Sequence, residues 1–245
     1  MAPARVRSIA RLGMEGPIGR WLYRRRNTDD GNVRIAAWHA RPKPILDRPH
    51  HEQRYVVLDV ETSGVDMRHD SLIAIGAVAV RGNRIDLGDA FACVLRQDVT
   101  SSTSNILIHG IGAHAQANGE EPAAALLDFL DYVGHDPVCA FRAEFDHAVI
   151  ERALGGVLRF VPRLAWLDLA VLLPAVYRGT PCDSLDEWMA WFGLSGDGRH
   201  DAIGDAFATA QLLLLVLAAA ERLAMPTTQK LLAMQRAQQW LGLRR

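Results

Sequence analysis

The sequence predicts an α/β domain built on a mixed β-sheet of about five strands flanked by helices, and three observations predict it. Tyr55–Val60 is a short apolar run and reads as a buried strand. Two longer runs follow it, Leu72–Val80 and Ile85–Leu95, joined by the tight-turn signal Arg81-Gly82-Asn83, so this part of the sheet is antiparallel. Beyond them, helical patterns alternate with two short apolar runs, Pro137–Phe141 and Trp166–Leu169, the order of elements in a mixed sheet.

Taken in order, residues 4–26 form a basic helix with Ile9, Leu12, Trp21 and Leu22 on a patchy apolar side. Residues 27–53 carry Gly31, Pro42, Pro44, Pro49 and a His-His pair, and read as an extended linker. Residues 1–53 are thus a basic N-terminal arm and linker, 54–223 the folded domain, and 224–245 a C-terminal amphipathic helix with Leu231, Met234 and Leu241 near one side. Within the domain, Ser63-Gly64 and Asp66–Ser71 make the first turn. The polar stretch Arg96–Ser104 leads into Ile106–Ile111. Glu120-Glu121-Pro122 starts a helix that stops at Gly134. A second helix, Glu144–Leu154, ends at Gly155-Gly156, and a third runs to Tyr177. Ser184, with Glu187 three residues on, is the capping box of a helix through Phe192. Asp201–Leu223 is the long last helix of the domain, broken at Pro226.

With 245 residues, 49% of them hydrophobic, the chain can bury a sizeable core. Cys93, Cys139 and Cys182 are far apart and form no CxxC pair, which indicates a reducing compartment without a disulfide framework or a zinc site. The N-terminus lacks the apolar core of a signal peptide, and the apolar run Leu212–Ala220 is too short to span a bilayer. The 25 arginines against 2 lysines, with abundant Ala and Leu, fit a GC-rich coding sequence and hence a bacterial, cytoplasmic protein. The net charge of −1 hides an asymmetry: residues 1–50 hold 11 Arg/Lys and 4 Asp/Glu, net +7, and residues 51–245 hold 16 and 24, net −8. The basic arm either meets nucleic acid or an acidic partner or is a solvated tail, with a transit peptide as a third reading.

Acidic residues at the ends of apolar segments carry the chemistry. Asp59 and Glu61 are two apart, so on a strand they share a face, where each raises the other's pKa unless a cation lies between them. Taken alone the pair equally suits a solvated strand end before a turn. Asp146 lies on the first turns of a helix after a strand. There an acid also suits the helix dipole, which is the reading for Glu144. Asp205 is flanked by Ala202, Ala206 and Ala208, small residues that bring its helix face close to a neighbour. His200 lies five residues earlier, about 500° around a helix, so it belongs to the preceding loop, free to reach over the same site. Several carboxylates without cysteine suit a hard cation such as Mg2+ or Mn2+, and so metal-assisted chemistry on phosphate.

In this order and spacing the segments Asp59-Val60-Glu61-Thr62-Ser63-Gly64, Phe145-Asp146 and His200-x-Ala202-x-x-Asp205-Ala206 resemble the DEDDh group of 3′–5′ exonucleases. That group has a ribonuclease H-like fold and includes the proofreading (epsilon) subunit of bacterial DNA polymerase III. The resemblance covers residues 54–223. The variant group that uses tyrosine carries it four residues before the last Asp; Asp201 stands there, so the histidine type fits. One departure is plain: where the family commonly has His-Asn before its x-x-Phe-Asp, this chain has Phe141-Arg142.

The resemblance implies that Asp59, Glu61, Asp146 and Asp205 hold two Mg2+ or Mn2+ ions and that His200 is the general base. It implies hydrolysis from the 3′ end of nucleic acid, DNA in preference to RNA and single-stranded, to nucleoside 5′-monophosphates. Thr62, Ser63, Gly64 and His109 would border the terminal nucleotide, His109 being alternatively a loop histidine without that part. Ile111 and Leu107 read as core. Arg142 either contacts a phosphate or pairs with an acid such as Glu144. Phe145 reads as core and Asp201 as the helix cap. The alternatives are a 3′–5′ exoribonuclease or a polymerase-associated nucleic-acid-binding module with weak catalysis. The C-terminal helix packs on its own domain or docks a DNA polymerase or a second copy; no membrane partner is expected.

Overall fold

The computed structural model describes residues 31–194 and 201–242. The expected basic helix over residues 4–26 lies outside the described residues. Five strands, β1 (Arg54–Thr62), β2 (Leu72–Arg81), β3 (Arg84–Val94), β4 (Val138–Ala140) and β5 (Trp166–Asp168), form one sheet in the order β3-β2-β1-β4-β5. β1–β2 and β2–β3 are antiparallel, β1–β4 and β4–β5 parallel. The mixed five-stranded sheet is as expected, and β1 runs to Thr62, which keeps Glu61 within the strand.

The side-chain period of two divides β1 between two cores. Tyr55 and Val57 face one layer, which holds α6 (Leu169–Val176), α7 (Leu185–Trp191), α8 (Ala202–Arg222) and α9 (Thr228–Gly242). Val56, Leu58 and Val60 face the other, with α4 (Pro122–Val133), α5 (Ala143–Leu158) and α1, a helix over residues 31–40. Asp59 and Glu61 continue the Tyr55–Val57 face, so apolar residues give way to carboxylates on the side that α8 covers. α8 crosses β1 and β2 so closely that a Cβ on Gly76 would stand 2.3 Å from the Ala202 carbonyl carbon and the Ile203 nitrogen. Gly76 is also the register partner of Asp59. The apolar run Leu212–Ala220 is one part of this 21-residue helix, which by length and composition alone is able to cross a membrane; more than half of its most apolar stretch is buried in the domain.

Several expectations are corrected. Residues 31–53 are not an extended linker. α1 docks on α4 through Arg34, which bonds Asp128 and Asp131, and Arg41, which bonds Asp131, while Trp38 is buried against His135 and Phe160. Two of the basic residues counted in the arm, Arg34 and Arg41, are thus paired with two acids of one helix face. Two short helices, α2 (Thr103–His109) and α3 (Ala113–Ala117), lie where the sequence reading assigned no element; Ser102 caps the first and Gly110, in the left-handed region, ends it. α5 continues through Gly155-Gly156 to Leu158, because its face buries Val149, Ile150 and Leu154, and tertiary contact outweighs the propensity cost of glycine. Asp201 stands at the N-cap of α8, but its side chain makes no cap hydrogen bond. The Ser184–Glu187 capping box forms as expected.

A buried relay ties the first strand to the last helix. His50, in the single 3-10 turn His50–Glu52, places Nε2 2.9 Å from the Met225 carbonyl, so Nε2 carries the proton. Nδ1 therefore accepts from the Tyr55 hydroxyl at 2.6 Å, and the Tyr55 oxygen accepts from Thr228 Oγ1 at 2.7 Å. Burial holds the His50 pKa below its ordinary value despite the Met225 carbonyl and Glu221, with His51 adding to the lowering. A histidine whose folded pKa is depressed contributes stability that is complete above the unfolded pKa and is lost as pH falls through it. The stability advantage of the protein over His50→Gln in urea unfolding is therefore expected to shrink between about pH 7.5 and about pH 5.5. A constant difference would mean that His50 is not buried neutral.

Candidate active site

Three elements bring four carboxylates to the carboxyl end of β1. Asp59 and Glu61 come from β1 and Asp205 from the first turn of α8, which the Gly76 contact brings onto the strand. Asp146 comes from the first turn of α5, immediately after β4. β4 ends at Ala140 and pairs only with Val56 and Val57 of β1. Further along, the Asp146 carboxylate takes the Val60 N–H, closing the gap that a longer strand would have filled.

The electrostatics follow from this crowding. Glu61 is pushed up to about 7, first by burial and then by Asp205 and Asp201. Burial also pushes the Asp146 carboxyl, only 4% exposed, well above the usual carboxylate range, with Asp168 and Glu61 adding to the rise. Its hydrogen bonds from backbone N–H groups oppose that rise without cancelling it. Asp201 thus acts as one of the negative charges around Glu61. Among the described residues, no three His, Cys, Asp or Glu side chains are gathered tightly enough to chelate an ion as they stand. The donor set nevertheless suits a hard cation: all four groups are carboxylates, and at least two are held out of water at the expense of their charged forms. His200 lies outside the described residues.

The expected substrate contacts divide. Thr62, Ser63 and Gly64 border the carboxylates, but their polar groups are used within the turn. Thr62 Oγ1 donates to the Gly64 carbonyl at 2.5 Å, and Ser63 Oγ donates to Asp70 at 2.8 Å. His109 is not on the open face. It is 3% exposed, its Nδ1 accepts the Ile111 N–H at 3.0 Å, and its Nε2 stands 3.4 Å from Ser101 Oγ. As the last residue of α2, it is turned inward by the helix. Leu107 and Ile108, by contrast, are 80% and 62% exposed, so Leu107 is not core. Asn105, unmarked by the sequence reading, joins α2 to this border by donating to the Thr62 carbonyl. Phe145 packs partly buried against the core as read.

Arg142 is exposed, and its guanidinium donates to the Asp183 carbonyl at 3.3 Å rather than pairing with Glu144. Its backbone lies in the left-handed region at φ 60°, a conformation that arginine adopts at a cost and asparagine more readily. Its N–H donates to Asp168 Oδ1 at 3.0 Å. Asp168 was missed because the fifth strand was read straight through it. The available signal was an acid that ends a strand and begins a helix, the same signal that marked Asp146.

Residues 56–213 match the sequence profile of the family described as Exonuclease. The PolC-type DNA polymerase III of Bacillus subtilis is 31% identical over 171 residues, 68% of this chain but 12% of that protein. The PolC-type polymerase of Thermotoga maritima is 28% identical over 160 residues, again 12% of its length. The chain thus spans about an eighth of these relatives. Escherichia coli exonuclease I in complex with a dT13 oligonucleotide superposes with a TM-score of 0.60 at 20% identity, over 70% of this chain and 42% of that one. This likeness shows the fold.

Gly76→Ala places a methyl group into the backbone of α8 and is expected to lower stability by about 1–3 kcal/mol in urea unfolding. It should also move Asp205 away from Glu61, so that divalent cations raise the melting temperature of the variant less than that of the native chain. A variant as stable and as responsive as the native chain would show that α8 does not depend on this contact.

Proposed function

Because the chain belongs to the Exonuclease family, we propose that it is a metal-dependent 3′–5′ exonuclease that shortens single-stranded DNA to nucleoside 5′-monophosphates. The observation that carries this reading is the meeting of β1 and α8, which sets Glu61 beside Asp205 and within the field of Asp146. Asp59, Glu61, Asp146 and Asp205 would hold two Mg2+ or Mn2+ ions. When bound, such ions stabilise charge on the attacked phosphate and on the departing 3′-oxygen and make the attacking water more acidic.

The residues of the chain do the rest. His200, one residue before the N-cap of α8, takes the proton from the attacking water; its ordinary pKa of about 6.5 suits that task at neutral pH. The Thr62–Gly64 turn borders the terminal nucleotide through its backbone, since its hydroxyls are engaged within the turn. Arg142, at the exposed start of α5, offers its guanidinium to a phosphate of the strand. Support for DNA comes from the relatives, PolC-type DNA polymerases, and from exonuclease I, which was crystallised with dT13. Association with a DNA polymerase, or with a second copy through α9, and a cytoplasmic location belong to the same reading.

The test is digestion of 3′-end- and 5′-end-labelled single strands, DNA and RNA in parallel, with Mn2+ or EDTA. Metal-dependent shortening from the 3′ end, faster on DNA, is expected. Asp205→Asn should abolish it in a folded protein, and His200→Ala should lower kcat by about 10²–10⁴-fold. Faster digestion of RNA would make the chain an exoribonuclease. Binding without cleavage would leave a nucleic-acid-binding module, and an effect of His200→Ala on KM alone would make that residue a binding group.

A further inference from the structure

β5 is the last strand of the sheet and only three residues long, so its outer edge offers the Trp166 carbonyl and the Asp168 N–H to whatever lies beside it. α9 lies there. Gln235 Oε1 accepts the Asp168 N–H at 2.8 Å, and Gln235 Nε2 donates to the Trp166 carbonyl at 3.2 Å. One side-chain amide thus takes the place of the peptide group of a sixth strand, and only one orientation of that amide satisfies both partners. Gln235 is buried, as is its neighbour Leu231, which anchors the same helix in the core.

Asp168 is in turn the hub of the turn that begins α5. Its Oδ1 accepts the N–H of Arg142 at 3.0 Å and of Ala170 at 2.9 Å, and its carboxylate also accepts from Ala143 and Val171. Two of these donors, Arg142 and Ala143, are the N-cap and first residue of the helix that carries Asp146 in its first turn. β5 and the start of α5 are thus joined directly, the Asp168 carboxylate accepting the backbone N–H groups of residues 142 and 143.

We infer that Gln235 is a positioning residue for Asp146, acting through Asp168, so that the C-terminal helix α9 sets the geometry of the carboxylate cluster from the far edge of the sheet. This inference rests on the reading of Asp146 as a metal ligand. Groups that orient a ligand's own support cost about 10- to 100-fold in metal affinity or activity when removed, and Gln235, one step further out, belongs at the lower end.

The test compares Gln235→Met, which keeps the volume and removes both hydrogen bonds, with Leu231→Ala, which loosens α9 in the core without touching Asp168. Mn2+ binding is read without substrate, from the electron paramagnetic resonance signal of free Mn2+, and kcat and KM on a single-stranded oligonucleotide are read beside it. Gln235→Met is expected to bind Mn2+ about 10-fold more weakly and to lose kcat to a similar degree with KM unchanged. Leu231→Ala is expected to lower the melting temperature at least as far while keeping native Mn2+ affinity and kcat. Should Gln235→Met not fold, Gln235→Leu, which also removes both hydrogen bonds, carries the same comparison. Native Mn2+ affinity in the Gln235 variant, or losses that follow stability in step with Leu231→Ala, would overturn the inference alone. A native chain that neither binds Mn2+ nor cleaves would bring down the exonuclease reading and this inference with it.

Discussion

The missing side chain of Gly76 is the constraint on which the site depends. An α-helix normally packs on a sheet through a layer of side chains; here the first turn of α8 meets the backbone of β2 with no room for a methyl group between them. That approach is what carries Asp205 to the strand bearing Asp59 and Glu61. Since Gly76 is the register partner of Asp59, the same residue that admits the helix also lies beside the first carboxylate. The small residues Ala202, Ala206 and Ala208 are the helix's half of the arrangement. Larger ones would hold the helix off the sheet, and Asp205 would stand apart from Asp59 and Glu61.

Such a site works against the fold that builds it. The face of β1 that packs Tyr55 and Val57 against α8 ends in two acids, and burial then raises Glu61 and Asp146 out of the ordinary carboxylate range. Uncompensated buried charge is destabilising. The compensation lies elsewhere: two apolar cores enclose the sheet on both faces, Asp146 gains the Val60 N–H, and Asp168 gains four backbone donors. The positive-φ backbone of Arg142 is a further local cost, held in place by its bond to Asp168.

The sheet was legible in the sequence because its strands are apolar runs bounded by turn residues, and Asp59, Glu61, Asp146 and Asp205 stood out as candidates because each lies at or near the end of an apolar run. What escaped was set by contacts distant in sequence. Residues 31–40 carry prolines beyond them and read as linker, yet they fold as a helix because Arg34, Arg41 and Trp38 find partners on α4 and around His135. α5 runs through two glycines because of what its buried face touches, which no local signal records. His109 read as a substrate contact from its segment alone, and the inward turn of α2 that buries it is a tertiary fact. Gln235 carries no motif at all; its value lies wholly in standing beside the edge of β5.

The relay from His50 through Tyr55 to Thr228 bears on how the molecule is made. Its members are 175 and 173 positions apart in the chain, and the neighbouring Leu46 carbonyl accepts the Gln229 N–H. A chain leaving the ribosome therefore lacks the Met225 acceptor for His50 and the Thr228 donor to Tyr55 until nearly the whole domain has been synthesised. Contacts of such long sequence separation form late and slowly. Earlier still, β1 and β2, the most apolar strands, have their hairpin but not α8, the helix that covers them. Nascent chains paused before α8 emerges are the stage at which a holding chaperone has the most apolar strand surface to bind.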